Sequence, residues 1–436
     1  MIEMYQLPRA TYLCRMTTGT ELTEELAWRG LLYQQTDGAE RALAAGSVSG
    51  YAGFDPTASS LHVGSLVPIM GLVHLQRTGH KPVALVGGGT ALIGDPSGKA
   101  SERQLLDEET VRANGAAILT QLEHFLDFSG PYAAVSADNS EWLRGLDLLD
   151  FLRETGKHFT VNYMLAKESV KARIETGISF TEFAYMLLQA YDFLELYRRR
   201  GVTLQLGGSD QWGNITAGIE LIRRAEGAEA HGITLPLVAT ASGTKFGKTE
   251  AGTVWLDASR TSPYQFYQFW INTEDRDSAS YLRMFTLLSR AEIEELESQM
   301  QAHPEKREAQ RALATEVTTR VHGVEAARIA EEVSSVLFGK RDATELSLPV
   351  IEALSREIPF SEIAPSDAGS LADVVARTGL APSKGAARRL LDQGGVYVNG
   401  ARATADLDLS SVTPLPGNHV LLRKGGRQYA LLRLRS

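Results

Sequence analysis

The residue types best suited to chemistry collect in two short stretches. From Tyr51 to Ser65 the chain reads YAGFDPTASSLHVGS. A strand-like run ends there in a turn of Gly, Asp and Pro, and a His-x-Gly-Ser sequence then opens a helix. Such a join sets backbone N–H groups, with the imidazole of His62, where the phosphates of a nucleotide can sit. The second stretch is Lys245-Phe-Gly-Lys248-Thr249, with Gly243 and Gly247 beside its charges. It has the composition of a mobile loop that closes on polyphosphate. Taken singly, His62 is as easily a structural histidine, and Lys245 and Lys248 are as easily solvated surface charges. Together the two stretches point to one nucleotide held from both sides.

A third set lies in helical text between Thr181 and Arg199. Tyr185, Gln189 and Asp192 are spaced by four and three residues and share one helical face. Phe183, Met186, Leu187, Ala190 and Leu194 surround them. A polar stripe on so apolar a helix must face water or a polar ligand, because burial without partners costs about 1–3 kcal/mol per group. A plain solvent-facing stripe and a pocket for a polar-tipped aromatic ligand both stay open. Gly207-Gly-Ser-Asp210-Gln211-Trp212 follows a strand and precedes a helix; its glycines allow close backbone approach. Asp210 there suits a ribose, an ammonium or an N-cap. Two further glycine runs fit no familiar nucleotide pattern. Gly94-Asp-Pro-Ser-Gly98-Lys99-Ala100 is too short between its glycines for a P-loop and lacks Ser or Thr after the lysine. Gly87-Gly-Gly-Thr90 does not meet the dinucleotide spacing.

The elements that must position these groups alternate in type. From Val48 to Val238 short apolar runs such as Pro82–Val86 and Val202–Leu206 end in glycines, and helical periodicity follows over Thr110–Phe125 and Asn214–Arg224. That order predicts a parallel sheet covered by helices, with the ligand at the carboxyl ends of its strands, near Tyr51, Gly87 and Gly207. From Ser262 to Phe338 the text is mostly helical, over Pro263–Ile271, Asp277–Leu288, Ala291–Gln301 and Pro304–His322. A Pro- and Ser-containing stretch follows. The last part reads as a small α+β unit, with helices at Leu371–Thr378 and Ser383–Gln393 and a hairpin-like run at Gly395–Gly400. The expected organisation is a loose tail over 1–20, a catalytic domain over 21–240, the lysine loop and a helical domain over 241–338, a linker over 339–369 and a final domain over 370–436.

Composition narrows the partners. A chain of 436 residues should divide into two or three domains, and 43% hydrophobic with 22% charged residues is ordinary for a globular protein. The net charge of −9 does not suggest a nucleic-acid binder. From Leu371 to Ser436, however, ten Arg or Lys face four Asp or Glu, a surplus of six positive charges against −15 for the rest. A basic appendage on an acidic body is a partner signal. The one cysteine, Cys14, forbids an intrachain disulfide and points to a reducing compartment. No apolar run is long enough for a membrane span. Residues 1–20 lack a signal-like pattern, and Met16 is an alternative start ahead of helical text at Glu21.

In combination these motifs resemble the bacterial tyrosyl-tRNA synthetases, a family of class I aminoacyl-tRNA synthetases. The likeness rests on Phe54-Asp-Pro-Thr-Ala58 before Leu61-His-Val-Gly64, Gly94–Lys99, Tyr185–Asp192, Gly207–Asn214 and Lys245–Thr249, and runs from Glu21 to Ser436. It implies an α/β fold with a Rossmann-like catalytic sheet, a helical domain and a small S-four-like RNA-binding domain. The basic helix of the last would carry Lys384, Arg388 and Arg389 to tRNA. It implies activation of L-tyrosine with ATP, supplied with Mg2+, to tyrosyl-adenylate and pyrophosphate, then transfer of tyrosine to the 3′ end of tRNA(Tyr). No tightly bound cofactor or structural metal is expected. By the same likeness His62, Ser65, Lys99, Arg103, Lys245, Lys248 and Thr249 serve the phosphates. Tyr51, Asp95, Tyr185, Gln189, Asp192 and Gln211 hold tyrosine, with Tyr51 and Asp192 on its hydroxyl. Gly53, Asp55, His62, Gly208, Asp210 and Lys248 hold the nucleotide. The implied state is a cytoplasmic homodimer with no membrane contact.

The chain departs from the family at Ser65, which stands where the last motif histidine belongs. A serine donates a hydrogen bond but carries no positive charge. Two other readings stay in view. A sister enzyme for tryptophan shares both nucleotide motifs, though an indole offers no hydroxyl to Tyr51 and Asp192. An inactive, RNA-binding relative would not need the lysine loop or Asp95.

Overall fold

The structure is a computed structural model. It describes residues 22–435 apart from 96–105, 168–169, 172–173, 175–176, 241–242, 244–245, 250–251, 339–342 and 365–368. Its contacts gather the chain into two units. The first holds residues up to Thr261 together with Thr273–Leu313, and the second holds Ser262–Asn272 with Ala314–Ser436.

The first unit is built on a six-stranded sheet of β1 (Gln34–Gln35), β2 (Ser49–Phe54), β3 (Lys81–Val86), β4 (Val135–Asp138), β5 (Val202–Gly208) and β6 (His231–Leu235). Their order is β1-β6-β5-β2-β3-β4. All neighbours pair in parallel except the edge strand β1, which runs antiparallel to β6. From β2 the chain winds one way through β3 and β4, then the other way through β5 and β6. The strand order therefore reverses between β2 and β5, which opens a crevice at their carboxyl ends.

Pleating sends successive residues of β2 to opposite faces. Gly50 meets Leu75 of the helix Leu66–Arg77, where even a methyl group would lie 2.9 Å from its side chain. Tyr51 turns the other way and packs edge-on against Phe193, with ring centroids 5.2 Å apart. Phe193 belongs to the long helix Phe180–Arg200, which with Trp212–Glu226 covers that face through Met186, Leu187, Ala190, Leu194, Leu221 and Ile222. The expected α/β architecture with helices on both faces is the one observed.

Helix ends differ from the sequence expectation where side chains intervene. The helix read over Asp277–Leu288 spans Asp275–Phe285. Arg29, almost wholly buried, donates to the carbonyls of Arg283, Thr286 and Leu288 at 2.9–3.0 Å. A guanidinium from the far end of the chain thus satisfies carbonyls at that helix end, and periodicity alone carries no sign of it.

In the second unit a five-stranded sheet has the order β11-β10-β12-β13-β9. These are β9 (Phe360–Ile363), β10 (Val396–Val398), β11 (Ala401–Arg402), β12 (His419–Lys424) and β13 (Gln428–Leu434). Both faces are buried. Val420, Leu422, Ala430 and Leu432 pack with the helices Leu371–Arg377 and Lys384–Asp392. Leu421, Tyr429 and Leu431 pack with Val333, Val336, Val350, Ile351 and Leu354. The stretch 339–369, expected as a linker, therefore contributes a helix, Leu348–Glu357, and the edge strand β9. The helical region 241–338 is likewise shared between the two units.

Candidate active site

A cavity of about 750 Å³ opens at the carboxyl ends of β2 and β5. Among the residues singled out from the sequence, Tyr51, Gly53, Asp55, His62, Ser65, Asp95, Tyr185, Gln189, Asp192, Gly207, Gly208, Asp210 and Gln211 line it, as do Gly87, Thr90 and Gly243. Lys99, Arg103 and Lys245 lie outside the described residues, as does Cys14. Lys248 and Thr249 form β7, paired antiparallel with β8 (Gly252–Thr253). Lys384, Arg388 and Arg389 lie on the exposed side of a helix in the second unit, whose Ala387 and Leu391 face its core.

One end of the cavity is a buried hydrogen-bonded set around Asp192. Its Oδ1 accepts from Trp142 Nε1 at 2.7 Å and its Oδ2 from Asn139 Nδ2 at 2.9 Å. Beside this carboxylate the Tyr51 hydroxyl is buried with no partner. Burial, and then the charge of Asp192, raise the Tyr51 pKa well above the ordinary phenol value. Burial also pushes the Asp192 carboxyl up to about 8, against the pull of its two N–H donors. An unpartnered hydroxyl next to a carboxyl that only accepts once ionised is a ready site for a ligand group that both accepts and donates. A phenol has that property.

A second cluster surrounds Asp95. Gln211 Nε2 donates to Asp95 Oδ2 at 2.9 Å, and Gln189 Nε2 donates to Gln211 Oε1 at 3.2 Å. Asn214 Nδ2 donates to the Oε1 atoms of Gln189 and Gln211 at 2.9 and 3.1 Å. These amides fix one another and hold the Asp95 carboxylate at the cavity wall, which suits an ammonium group. Tyr185 donates through its hydroxyl to Asp55 Oδ2 at 3.0 Å.

The wall beside His62 is where the first stretch and the described part of the second meet. His62 precedes the short turn Val63–Ser65, and its Nδ1 accepts from the Gly64 N–H at 3.0 Å. That contact assigns the ring proton to Nε2, leaving it as the donor. Ser65 begins the helix Leu66–Arg77 without capping it. The backbone after the lysine hairpin runs against this turn, with Val63 N–H donating to Val254 O and Leu256 N–H to Leu61 O at 3.0 and 2.9 Å. A methyl group on Gly247 would stand 2.5 Å from Val63, so glycine lets the hairpin approach the His62 turn. Phe246 anchors the hairpin by stacking on Phe285, 5.2 Å away. The two motifs, remote in sequence, thus adjoin.

Sequence reading missed Asn139, Trp142 and Asn214. Trp142 and Asn139 follow β4, a four-residue strand that gave no clear period-2 signal. A buried Asn and Trp read singly as core or turn residues. Only the fold shows that both donate to Asp192.

Among the described residues no group of three or more His, Cys, Asp or Glu is placed to hold a metal ion. No helix of the described residues is long and apolar enough to cross a membrane.

A nucleotide-binding sheet with this motif pair at its switch point defines a class, and the chain belongs to it: the class I tRNA synthetases (W and Y), whose family model matches residues 44–339. Residues 350–432 match the tyrosine–tRNA ligase SYY-like C-terminal domain, which places the chain in the tyrosine–tRNA ligase family. It is 52% identical over 417 residues to a tyrosine–tRNA ligase of Anaeromyxobacter dehalogenans, covering 95% of this chain and 99% of the relative. It is 54% identical over 424 residues to that of Roseiflexus castenholzii, covering 95% and 100%. Among solved structures it is similar to a C-terminally truncated mitochondrial tyrosyl-tRNA synthetase of Aspergillus nidulans. The TM-score is 0.66 at 30% identity, covering 76% of this chain and 98% of the other.

Proposed function

We infer that the protein is a tyrosine–tRNA ligase in which Tyr51 and Asp192 read the substrate's hydroxyl. The observation that carries this reading is the pairing, in one cavity, of the unpartnered Tyr51 hydroxyl with the doubly anchored Asp192 carboxylate. Tyr51 donates to the phenolic oxygen and Asp192 accepts its proton. Asp95, supported by Gln211 and through it by Gln189, holds the ammonium together with Tyr185, whose hydroxyl is itself anchored on Asp55. The substrate's carboxylate, already ionised, then attacks the α-phosphate of ATP, supplied as its magnesium complex; the phosphoanhydride bond breaks and pyrophosphate leaves. No protein base is needed, so positioning and charge stabilisation carry the step. Gly53, Asp55, Gly208 and Asp210 line the nucleotide side. His62, Ser65 and the lysines of the two loops donate to phosphate oxygens. A ribose hydroxyl of the tRNA terminus then takes the tyrosyl group and releases AMP. The test is charging of tRNA(Tyr) with labelled tyrosine: acid-stable incorporation dependent on ATP is expected, and its absence would overturn the assignment.

The Asp192 carboxyl yields a pH prediction. With its pKa near 8, the anion is complete only above that pH and is lost as pH falls. A phenol donating to the anion then binds more weakly on the acid side, by up to about tenfold per pH unit. Phenylalanine has no hydroxyl to lose. The kcat/KM ratio of tyrosine over phenylalanine is expected to narrow as pyrophosphate exchange is moved from alkaline to mildly acidic pH. A ratio constant across that window would contradict this role.

We place the enzyme in the cytoplasm as a homodimer. Support for the dimer comes from large apolar side chains left exposed in one stretch of the first unit: Leu148, Leu149, Leu152, Val161 and Phe180, with Phe180 78% exposed. An apolar surface of this kind favours a partner copy. Phe180→Asp is expected to shift the species seen by analytical ultracentrifugation toward the monomer; an unchanged mass would argue for another interface. The exposed Lys384, Arg388 and Arg389 supply phosphate contacts to tRNA, although Lys384 also pairs with Asp373 at 2.8 Å.

A further inference from the structure

The glycine run Gly87-Gly-Gly-Thr90, which fits no nucleotide motif, encloses a chain of hydrogen bonds between two carboxylates. Asn139 is held by the Gly89 N–H, which donates to its Oδ1 at 2.7 Å. That contact fixes the carboxamide's orientation. Its Nδ2 must then supply protons on both sides, to Asp192 Oδ2 and to Thr90 Oγ1, each at 2.9 Å. Having accepted there, the Thr90 hydroxyl turns its own proton to Asp55 Oδ1 at 2.8 Å. Tyr185 donates to the other oxygen of Asp55. Every bond in the series therefore has one allowed direction. Thr90 is 2% exposed and Asn139 1% exposed, so water does not substitute readily for either.

The glycines make room for this series. A methyl group on Gly87 would stand 2.0 Å from Asp55 Oδ1 and 2.6 Å from Thr90 Oγ1. One on Gly89 would stand 3.3 Å from Asn139 Oδ1.

We propose that Thr90 is a positioning residue that joins Asp192, at the phenol end of the site, to Asp55, on its nucleotide side. The proposal rests on the functional reading above. Thr90 stands at the cavity wall and acts on the substrates through the carboxylates it sets. Replacing its hydroxyl removes the donor to Asp55 and the acceptor for Asn139, so damage reaches both ends of the site.

The test is pyrophosphate exchange by the full-length protein with tyrosine and with phenylalanine. Thr90→Val keeps the shape and is expected to lower the tyrosine-over-phenylalanine ratio by about tenfold, the effect of losing a hydrogen bond to a charged group. KM for ATP should rise together with KM for tyrosine. Thr90→Ser, which keeps the hydroxyl, should restore both. Gly87→Ala presses on the same atoms from outside and is expected to reproduce the Val phenotype, which keeps the test open should Thr90→Val fold poorly. A wild-type ratio in Thr90→Val, or Thr90→Ser as impaired as Thr90→Val, would overturn the proposal. A wild-type protein inactive with tyrosine would overturn the functional reading instead.

Discussion

In Asp192→Ala, kcat/KM for tyrosine in ATP–pyrophosphate exchange is expected to fall by roughly 100-fold or more, and the preference over phenylalanine to collapse. Two effects add. The substrate's hydroxyl loses its charged acceptor. The Trp142 Nε1–H, and one of the two Asn139 Nδ2 protons, are left facing a cavity where the carboxylate stood. Phenylalanine suffers only the second effect, so the ratio reports the first. Thermal denaturation run alongside separates loss of recognition from loss of fold. Retained discrimination in a folded Asp192→Ala protein would remove this residue from the specificity account.

Removing everything after Phe338 is expected to spare exchange to within about threefold while lowering tRNA charging by roughly 100-fold or more, since phosphate contacts dominate such affinity. Every residue lining the cavity lies between Tyr51 and Trp255, in the first unit. The basic helix lies in the second. The cut falls before the helix Leu348–Glu357 and uncovers Val333 and Val336 on the helix it leaves, so thermal denaturation of the truncated protein accompanies the assay. A cut at Leu371, the boundary the charge pattern suggests, would strip Leu421, Tyr429 and Leu431 from Val350, Ile351 and Leu354 and leave them exposed. Equal loss of exchange and charging after the Phe338 cut would contradict this division of labour.

The sheet and the motifs on it were legible because the signals are local. Glycines mark the ends of β2 and β5, and the face shared by Tyr185, Gln189 and Asp192 follows from helical pitch alone. The supports for those groups were not legible. Asn139 and Trp142 act on Asp192 from more than forty residues away, and Arg29 satisfies carbonyls near Phe285 from the opposite end of the chain. Charge composition marks the terminus as basic, which is a surface property. It could not see that the second face of that terminus's sheet is buried too, because part of its cover, the helix Leu348–Glu357, lies upstream in text with a linker's Pro and Ser content. The Gly87–Thr90 run was visible as a motif without a purpose. Its purpose appears only when Asp55, Thr90 and Asn139 are brought together.

The central claim is that the Tyr51–Asp192 pair selects a hydroxylated aromatic amino acid. The most direct measurement is amino-acid-dependent ATP–pyrophosphate exchange by the intact protein, with tyrosine, phenylalanine and tryptophan compared side by side. Exchange with tyrosine, and only trace exchange with the other two, is expected. Exchange with tryptophan in preference to tyrosine, or exchange with none of the three, would contradict it.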